Sequence, residues 1–283
     1  MDKKLLVIFH LYYPDQLDWF LEKMSHIKGC GWDLLVTGNN IPEDSVRKIK
    51  EFKPNASFLE CENIGYDVWP FLKALKNTDF QTYPYILKIH TKNSRPHTVH
   101  ICGEHLKGFL WRDYLVNALI GSDCIFSDNL QVLEKNPDIG MICARELYGT
   151  LNFKEDHAPL DEELERLGLK TECRDICAGT MMIFRSSLLA VLPLEEYTPE
   201  MFPRESASNS GGTPAHVYER VFSLLAPAQG YKVHTVSTSS RAHRALKAIR
   251  RAVRALGFIF SIDRLGEEQH KYLTILGIKI RLD

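Results

Sequence analysis

The stretch YPYILKIHTKNSRP, residues 83–96, passes from apolar Tyr85, Ile86, Leu87 and Ile89 into His90, Thr91, Lys92, Asn93, Ser94 and Arg95. Lys92 and Arg95 could supply positive charge to a diphosphate; a solvated surface pair is the plainer use of the same residues. A second stretch, ENIGYDVWPF, places Gly65 where a tight turn and close backbone approach to a ligand are permitted. Free N–H groups at the start of the following helix favour phosphate. Asp67 is an acceptor suited to a sugar or ribose hydroxyl, and equally an N-cap. A third, GGTPAHVYERVF, holds His216, Glu219 and Arg220 within about one helical turn, with His216 and Glu219 on one face. A carboxylate so placed can act as general base on an acceptor hydroxyl, an effect of roughly 10²–10⁴ in rate. It can also simply pair with Arg220.

These groups need a scaffold, and the pattern predicts one. KLLVIFHLY reads as a strand, PDQLDWFLEKMSHIK as a helix with Leu17, Phe20, Leu21, Met24 and Ile27 on one face, and GWDLLVTGN as the next strand. PEDSVRKIKEF is a short helix with acidic residues in its first turn, NASFLECEN a third strand and YDVWPFLKALKN a helix. Strands alternating with helices imply right-handed crossovers and a mostly parallel sheet. Ligands in such a sheet bind beyond the carboxyl ends of the strands. There the chain puts His10, Tyr12 and Tyr13, then Thr37, Gly38 and Asn39, then Asn63, Gly65 and Asp67, then His90, Lys92 and Ser94. Each alone fits turn chemistry; together they mark one polar edge. Further on, FLWRDYLVNALIGS, SSLLAVL and AHVYERVFSLLAPAQG read as helices, IGMICA, ICAGTMMIFR and YKVHTV as strands, 148–170 as polar and irregular with a short helix at 160–168, and RESASNSGGTP as a loop. No GxxxxGK[ST] occurs, which argues against a P-loop, and no GxGxxG follows the first strand.

With 283 residues, 45% hydrophobic and 25% charged, the chain can bury a large core, and its net charge of −1 carries no bias toward polyanions. No apolar run approaches the roughly 20 residues of a membrane helix. MDKKLLVIFHLYYPD is too short in its apolar part for a signal peptide and reads as the first core strand. Seven scattered cysteines without a CxxC pair fit reduced thiols of the cytoplasm. Cys173 and Cys177 have weak spacing for zinc.

The segments HLYYPD, NIGYDVWPFL, ILKIHTKNS, WRDYLVNALIGS, AGTMMIFRSSLL and GGTPAHVYERVFSLLAPAQGYKV, in that order, resemble the rhamnan synthesis protein F family over roughly residues 5–236. These bacterial proteins of surface-polysaccharide assembly are regarded as glycosyltransferases. The resemblance implies a GT-A-like α/β fold: a mixed, mostly parallel sheet flanked by helices, with a nucleotide-binding half and an acceptor half. It implies a nucleotide-sugar co-substrate, dTDP-rhamnose or a UDP-sugar, with donor contacts among His10, Thr37, Asn63, Gly65, Asp67, His90, Lys92, Ser94, Arg95 and Arg112. Acceptor contacts fall at Gly179, Thr180, Gly212, Thr213 and Arg220, and Glu219, with His216, becomes the candidate catalytic base. The strand that should end in an Asp-x-Asp metal motif ends in His90-Thr91-Lys92. Lys92, with Arg95 or Arg112, is therefore expected to neutralise the leaving diphosphate without a metal or other cofactor, in one inverting displacement. Tyr66, Met182, Ile183 and Pro214 depart from the family pattern and leave the donor sugar open.

Two regions are expected: a glycosyltransferase domain at 1–237 and an appendage at 238–283. RAHRALKAIRRAVRALGFIF sets Ala242, Leu246, Ile249, Val253 and Leu256 along one stripe among basic residues. Such a helix suits the anionic cytoplasmic face of the inner membrane, each Lys or Arg near it contributing about 1 kcal/mol. It would bring the enzyme, a cytoplasmic peripheral protein, to a lipid-linked oligosaccharide acceptor; packing on the core or a partner subunit is the other use. Nucleic acid is not an expected partner, because aromatics are not interleaved with the basic residues. A non-catalytic nucleotide- or carbohydrate-binding scaffold competes with the enzyme, and a metal hydrolase using His90, His97, His100 and His105 on an irregular segment is a weaker third reading.

Overall fold

The computed structural model describes residues 3–150, 157–202 and 212–238, and the backbone of 260–265, 270–275 and 278–281. The chain divides into two units, Met1–Thr238 and Ser239–Asp283.

In the first unit, β1 (Lys3–His10), α1 (Leu17–Met24), β2 (Gly31–Gly38), α2 (Glu43–Phe52), β3 (Ser57–Glu60), α3 (Val68–Lys76) and β4 (Tyr85–His90) alternate as the sequence pattern predicts. Then come β5 (Arg95–Ile101), β6 (Glu104–Gly108), α4 (Leu110–Ile120), α5 (Asp123–Lys135), β7 (Ile139–Ala144) and β8 (Tyr148–Thr150). The unit closes with α6 (His157–Arg166), β9 (Asp175–Cys177), β10 (Met182–Arg185), α7 (Pro214–Ala228) and β11 (Lys232–Val236). Seven strands form one sheet in the order β11-β7-β10-β4-β1-β2-β3. Only β10 runs against the rest, pairing antiparallel with both β4 and β7. The expected mostly parallel sheet flanked by helices is what the chain builds.

Register decides what faces what. His10 lies opposite both His90 on β4 and Thr37 on β2, and Lys88 lies opposite Ile8. Side chains alternate along a strand, so His10, Thr37, Lys88 and His90 share one face. Phe71 of α3 and Phe222 of α7 cover it, each ring within 6 Å of the Lys88 ammonium. Phe9 points the other way and stacks on Phe20 of α1, which contacts α4.

Several local expectations change. Residues 95–108 are not irregular: β5 and β6 form an antiparallel hairpin whose loop, Cys102-Gly103, takes two successive positive φ values, 50° and 77°. Such a two-residue loop matches the twist of its strands. Patterning did not mark α5, which Ser122 caps by accepting from the Ile125 N–H. ICAGTMMIFR is two strands, because positive φ at Gly179 (98°) and Thr180 (48°) turns the chain between β9 and β10. SSLLAVL winds as a 3₁₀ helix.

In the second unit β12 (Phe260–Leu265), β13 (His270–Ile275) and β14 (Ile278–Arg281) form an antiparallel sheet. The basic amphipathic helix expected from Arg241 onward lies outside the described residues, as does most of the Gly/Ser-rich loop, residues 204–211. Among the described residues no helix is long and apolar enough to cross a membrane.

Candidate active site

Beneath the carboxyl edge of the sheet lies a closed polar network. Lys88, 2% exposed, donates to Asp67 and, at 3.0 and 3.1 Å, to the hydroxyl and carbonyl of Thr180. The Thr180 hydroxyl donates in turn to Asp67 Oδ2 at 2.8 Å. His90 Nε2 faces the Gly179 carbonyl at 2.9 Å and Asp67 Oδ1 at 3.6 Å. Burial lowers His90 to about 4, with the Lys88 and Lys92 charges in the same direction and Asp67 opposing. The neutral ring has one proton to donate, whereas Nε2 faces these two acceptors and Nδ1 faces the Thr91 carbonyl at 3.1 Å. Asp67 is held far below the ordinary carboxylate range: His90 and Lys88 and the hydrogen bonds from Lys88 and Thr180 outweigh a desolvation that alone would raise it. One carboxylate thereby ties α3, β4 and the β9–β10 turn together.

At the rim, the loop after β4 is fixed from below. The Thr91 hydroxyl accepts from the Tyr12 and Tyr13 N–H groups, both at 2.9 Å. Buried Gln16 donates to the Lys92 carbonyl at 3.0 Å. The Lys92 ammonium rests 4.0 Å from the centre of the Trp111 ring, and the Arg95 guanidinium lies 5.0 Å from it. Trp111 is oriented by donating from Nε1 to the Ala178 carbonyl at 2.9 Å. A Cβ on Gly179 would stand 2.9 Å from that Nε1 and 3.5 Å from Lys92 Nζ, so glycine makes room for this packing. Among the described residues no carboxylate lies within ion-pairing distance of Lys92, and the Arg95 Nε is buried without a hydrogen-bond partner. Burial pulls Lys92 below its ordinary value, against the opposing charges of Glu219 and Asp67.

Glu219 comes to the same rim from α7. Thr213 caps that helix and Pro214 opens it, a pairing that suits a helix start. The Thr213 hydroxyl also meets His216 Nδ1 at 2.7 Å. Arg220, buried, donates to the His216 carbonyl at 2.5 Å and lies 3.9 Å from Glu219 Oε2. The Glu219 side chain is 27% exposed. Burial first, and Asp67 second, push its carboxyl up, against Lys92, His216 and Arg220. Exposed Tyr66 meets the His216 ring edge-on with centroids 5.8 Å apart.

The rim therefore gathers Lys92, Arg95, Gly179, Thr213, His216, Glu219 and Arg220 from the predicted set. Others sit elsewhere. Thr37 is fully buried and its hydroxyl meets His10 Nδ1 at 3.1 Å, an internal contact beneath the rim. Burial lowers His10 to about 4. Asp67, His90 and Thr180 are consumed by the network below, and Asp67 is neither a free hydroxyl acceptor nor a side-chain cap. Arg112 points toward α1, stacked 3.8 Å over Trp19 and paired with Asp113 at 2.8 Å, so its charge is not offered to a diphosphate at Lys92. It supports the loop through Gln16 at 3.3 Å. Asn63, Ser94 and Gly212 are exposed. His97 and His100 lie exposed on the hairpin, apart from buried His90. Among the described residues no cluster of three or more His, Cys, Asp or Glu side chains is arranged to hold a metal. Lys88, Gln16, Trp111 and Tyr66 escaped the sequence reading as site residues. A lysine alternating with a histidine inside a wholly apolar strand was the available signal for Lys88.

The model of the family described as rhamnan synthesis protein F matches residues 1–231. The chain belongs to this family. The rhamnan synthesis protein F match covers the whole rim, from His10 to Arg220. WxcX of Xanthomonas campestris pv. campestris (strain B100) is 26% identical over 238 residues, which cover 81% of this chain and 32% of that protein. The chain thus spans about a third of the length of the curated relatives it matches. Among solved structures, S. aureus TarS 1–349 in complex with UDP superposes with a TM-score of 0.48 at 12% identity, over 84% of this chain and 59% of that one. Glucosyl-3-phosphoglycerate synthase of Mycobacterium tuberculosis, in complex with Mn²⁺, UDP and glucosyl-3-phosphoglycerate, gives 0.37 at 12% identity, over 95% and 86%.

Proposed function

We propose that this member of the rhamnan synthesis protein F family is a GT-A-like inverting glycosyltransferase. It moves rhamnose or another hexose from a dTDP- or UDP-linked donor to a growing bacterial surface polysaccharide or lipid-linked glycan. The observation that carries the reading is the rim itself: a lysine with no carboxylate in ion-pairing distance among the described residues, laid on Trp111 beside Arg95, and a partly buried carboxylate that feels its charge.

Glu219 takes the proton of the acceptor hydroxyl. The freed oxygen attacks the anomeric carbon, and the bond from that carbon to the donor's diphosphate oxygen breaks, its electron pair leaving on the phosphate. Lys92 and Arg95 meet the charge that develops there, a preorganised electrostatic role. A raised carboxyl makes Glu219 a stronger base than a surface glutamate. Attack from the face opposite the leaving group inverts the anomeric centre. The family's link to rhamnan synthesis supports a deoxyhexose donor, and the basic stripe from Arg241 to Arg254 supports peripheral attachment to the cytoplasmic face of the inner membrane, where lipid-linked acceptors reside.

The test is release of nucleoside diphosphate from a panel of dTDP- and UDP-sugars, with donor affinity measured in parallel. One donor should turn over, and Glu219→Gln should lower turnover by roughly 10²-fold or more while donor affinity stays within about twofold. Near-normal turnover in Glu219→Gln excludes it as base. Donor binding with no release from any sugar favours a binding scaffold instead.

A further inference from the structure

Tyr66 is an aromatic side chain 46% exposed, on a non-glycine backbone with φ of 50°. A bulky residue in the left-handed region is strained, and such strain persists where the surroundings impose it. They do so here. Gly65, also left-handed at 61°, has Phe202 and Trp69 3.0 Å from where a Cβ would stand. Its carbonyl accepts from the Val68 and Trp69 N–H groups at 3.0 and 3.3 Å. On the other side Asp67 is pinned by Lys88 and Thr180. The backbone is held on both flanks of Tyr66, whose side chain stays 46% exposed.

The position of the ring matters as much as its exposure. Its edge-on partner is His216, itself fixed to Thr213, and His216 stands one turn before Glu219 on the same helix face. The cations lie on another aromatic, Trp111. Tyr66 therefore flanks the base and not the diphosphate side. A pyranose has an apolar face of C–H groups that covers an aromatic ring well, whereas its hydroxyls remain free for polar contacts. We infer that Tyr66 is the platform on which the acceptor's pyranose ring stacks, turning one hydroxyl toward Glu219. This rests on the glycosyltransferase reading above and adds the recognition element for its acceptor.

The test uses methyl α-L-rhamnopyranoside and methyl α-D-glucopyranoside as acceptor probes, observed by saturation-transfer NMR on the full chain. Wild type is compared with Tyr66→Phe, Tyr66→Trp, Tyr66→Ala and Tyr66→Gly, and dTDP and UDP are titrated separately. At least one glycoside should receive saturation mainly on the C–H groups of one ring face, in wild type and in the Phe and Trp variants. Ala and Gly should weaken it roughly tenfold or more. The Gly variant relieves the backbone strain, so its melting temperature should not fall, which separates lost binding from lost folding. Glycoside binding unchanged in the Ala and Gly variants overturns the proposal, as does wild type that binds neither glycoside. Parallel loss of nucleotide and glycoside binding also overturns it. If neither dTDP nor UDP binds wild type while the glycoside response still depends on Tyr66, the donor assignment fails and the platform stands.

Discussion

Asp67→Asn separates two roles for the same carboxylate. As a donor contact, Asp67 would hold a sugar or ribose hydroxyl, and asparagine would weaken donor binding while leaving the fold intact. As the structure has it, Asp67 neutralises Lys88, which is 2% exposed and otherwise reaches only the hydroxyl and carbonyl of Thr180. Asparagine keeps the shape and one acceptor but strands the ammonium. Breaking a buried pair from one side costs about 3–5 kcal/mol. A second route gives a ceiling. The stranded group can release its proton, which from a lysine's ordinary value of about 10.4 costs roughly 4.6 kcal/mol at pH 7 and roughly 1.9 kcal/mol at pH 9. The loss should therefore be about 3–4.6 kcal/mol at pH 7 and no more than about 1.9 kcal/mol by pH 9, because the variant's folded state binds fewer protons than its unfolded state in that window. Urea denaturation followed by tryptophan fluorescence at the two pH values measures it. Replacing both partners, Asp67→Asn with Lys88→Met, should recover most of the loss, since no charge is then buried. A loss below about 1 kcal/mol at pH 7, or one of the same size at pH 9, would refute this account of the network.

Lys92→Ala should weaken dTDP or UDP binding roughly 10–100-fold, the scale of one charged hydrogen bond of about 1.5–3 kcal/mol, and unchanged affinity in calorimetry would count against the diphosphate role. Acid should destabilise the protein through His10 and His90. Both are held near 4 by burial, so the folded state binds fewer protons than the unfolded state between about pH 6.5 and 4. Their stabilisation is full above that window and falls by roughly 3 kcal/mol per histidine across it; a flat stability profile would contradict the assignment. Gly179→Ala should cost about 2–4 kcal/mol, from a Cβ placed 2.8 Å from Leu115 and 2.9 Å from Trp111 on a left-handed backbone, and a melting temperature unchanged within error would argue against that crowding. Turnover should rise with pH through a limb above the ordinary glutamate value, and that limb should move further up in Lys92→Met, which removes a charge that favours ionised Glu219; a downward shift would contradict their coupling.

The strands and helices that were legible are those whose apolar period is unbroken. β4 is buried throughout, β1 from Leu5 to Phe9 and β2 from Leu34 to Gly38, and α1 and α3 carry a clear buried face. Polar residues at four strand ends also pointed to the edge at which Lys92, Arg95 and Glu219 come together. What the pattern could not give is which polar atoms already have partners. Asp67 and Lys88 are 21 residues apart and Lys88 and Thr180 are 92 apart, and no local rule pairs them. Hence Asp67, His90 and Thr180 looked available when the fold consumes them. Arg112 was misplaced for a geometric reason: on α4 it is adjacent to Trp111, yet successive helix residues diverge by about 100°, so one meets the Lys92 side and the other meets α1. The hairpin at 95–108 escaped because Cys102-Gly103 is not a usual two-residue turn sequence.

The charges at this edge fall into two sets with opposite fates. Asp67 and Lys88 face each other in the interior, with Thr180 completing their hydrogen bonds, and nothing remains for a ligand to add. Lys92 and Glu219 lie partly buried at the rim, sense each other's charge, and are kept from pairing by separate restraints. Trp111 and the Gln16-braced loop hold the lysine, while the capped first turns of α7 set the glutamate beside Arg220. A partly desolvated cation and carboxylate gain by closing on each other unless the scaffold prevents it, and each is shifted toward its neutral form by burial. Keeping them apart has a cost in stability, which on the proposed reading the substrates offset: an anion against Lys92 and Arg95, a hydroxyl proton against Glu219. The closed pair makes the open one possible, because the Lys88–Asp67–Thr180 link fixes the β9–β10 turn whose Gly179 leaves room for Lys92.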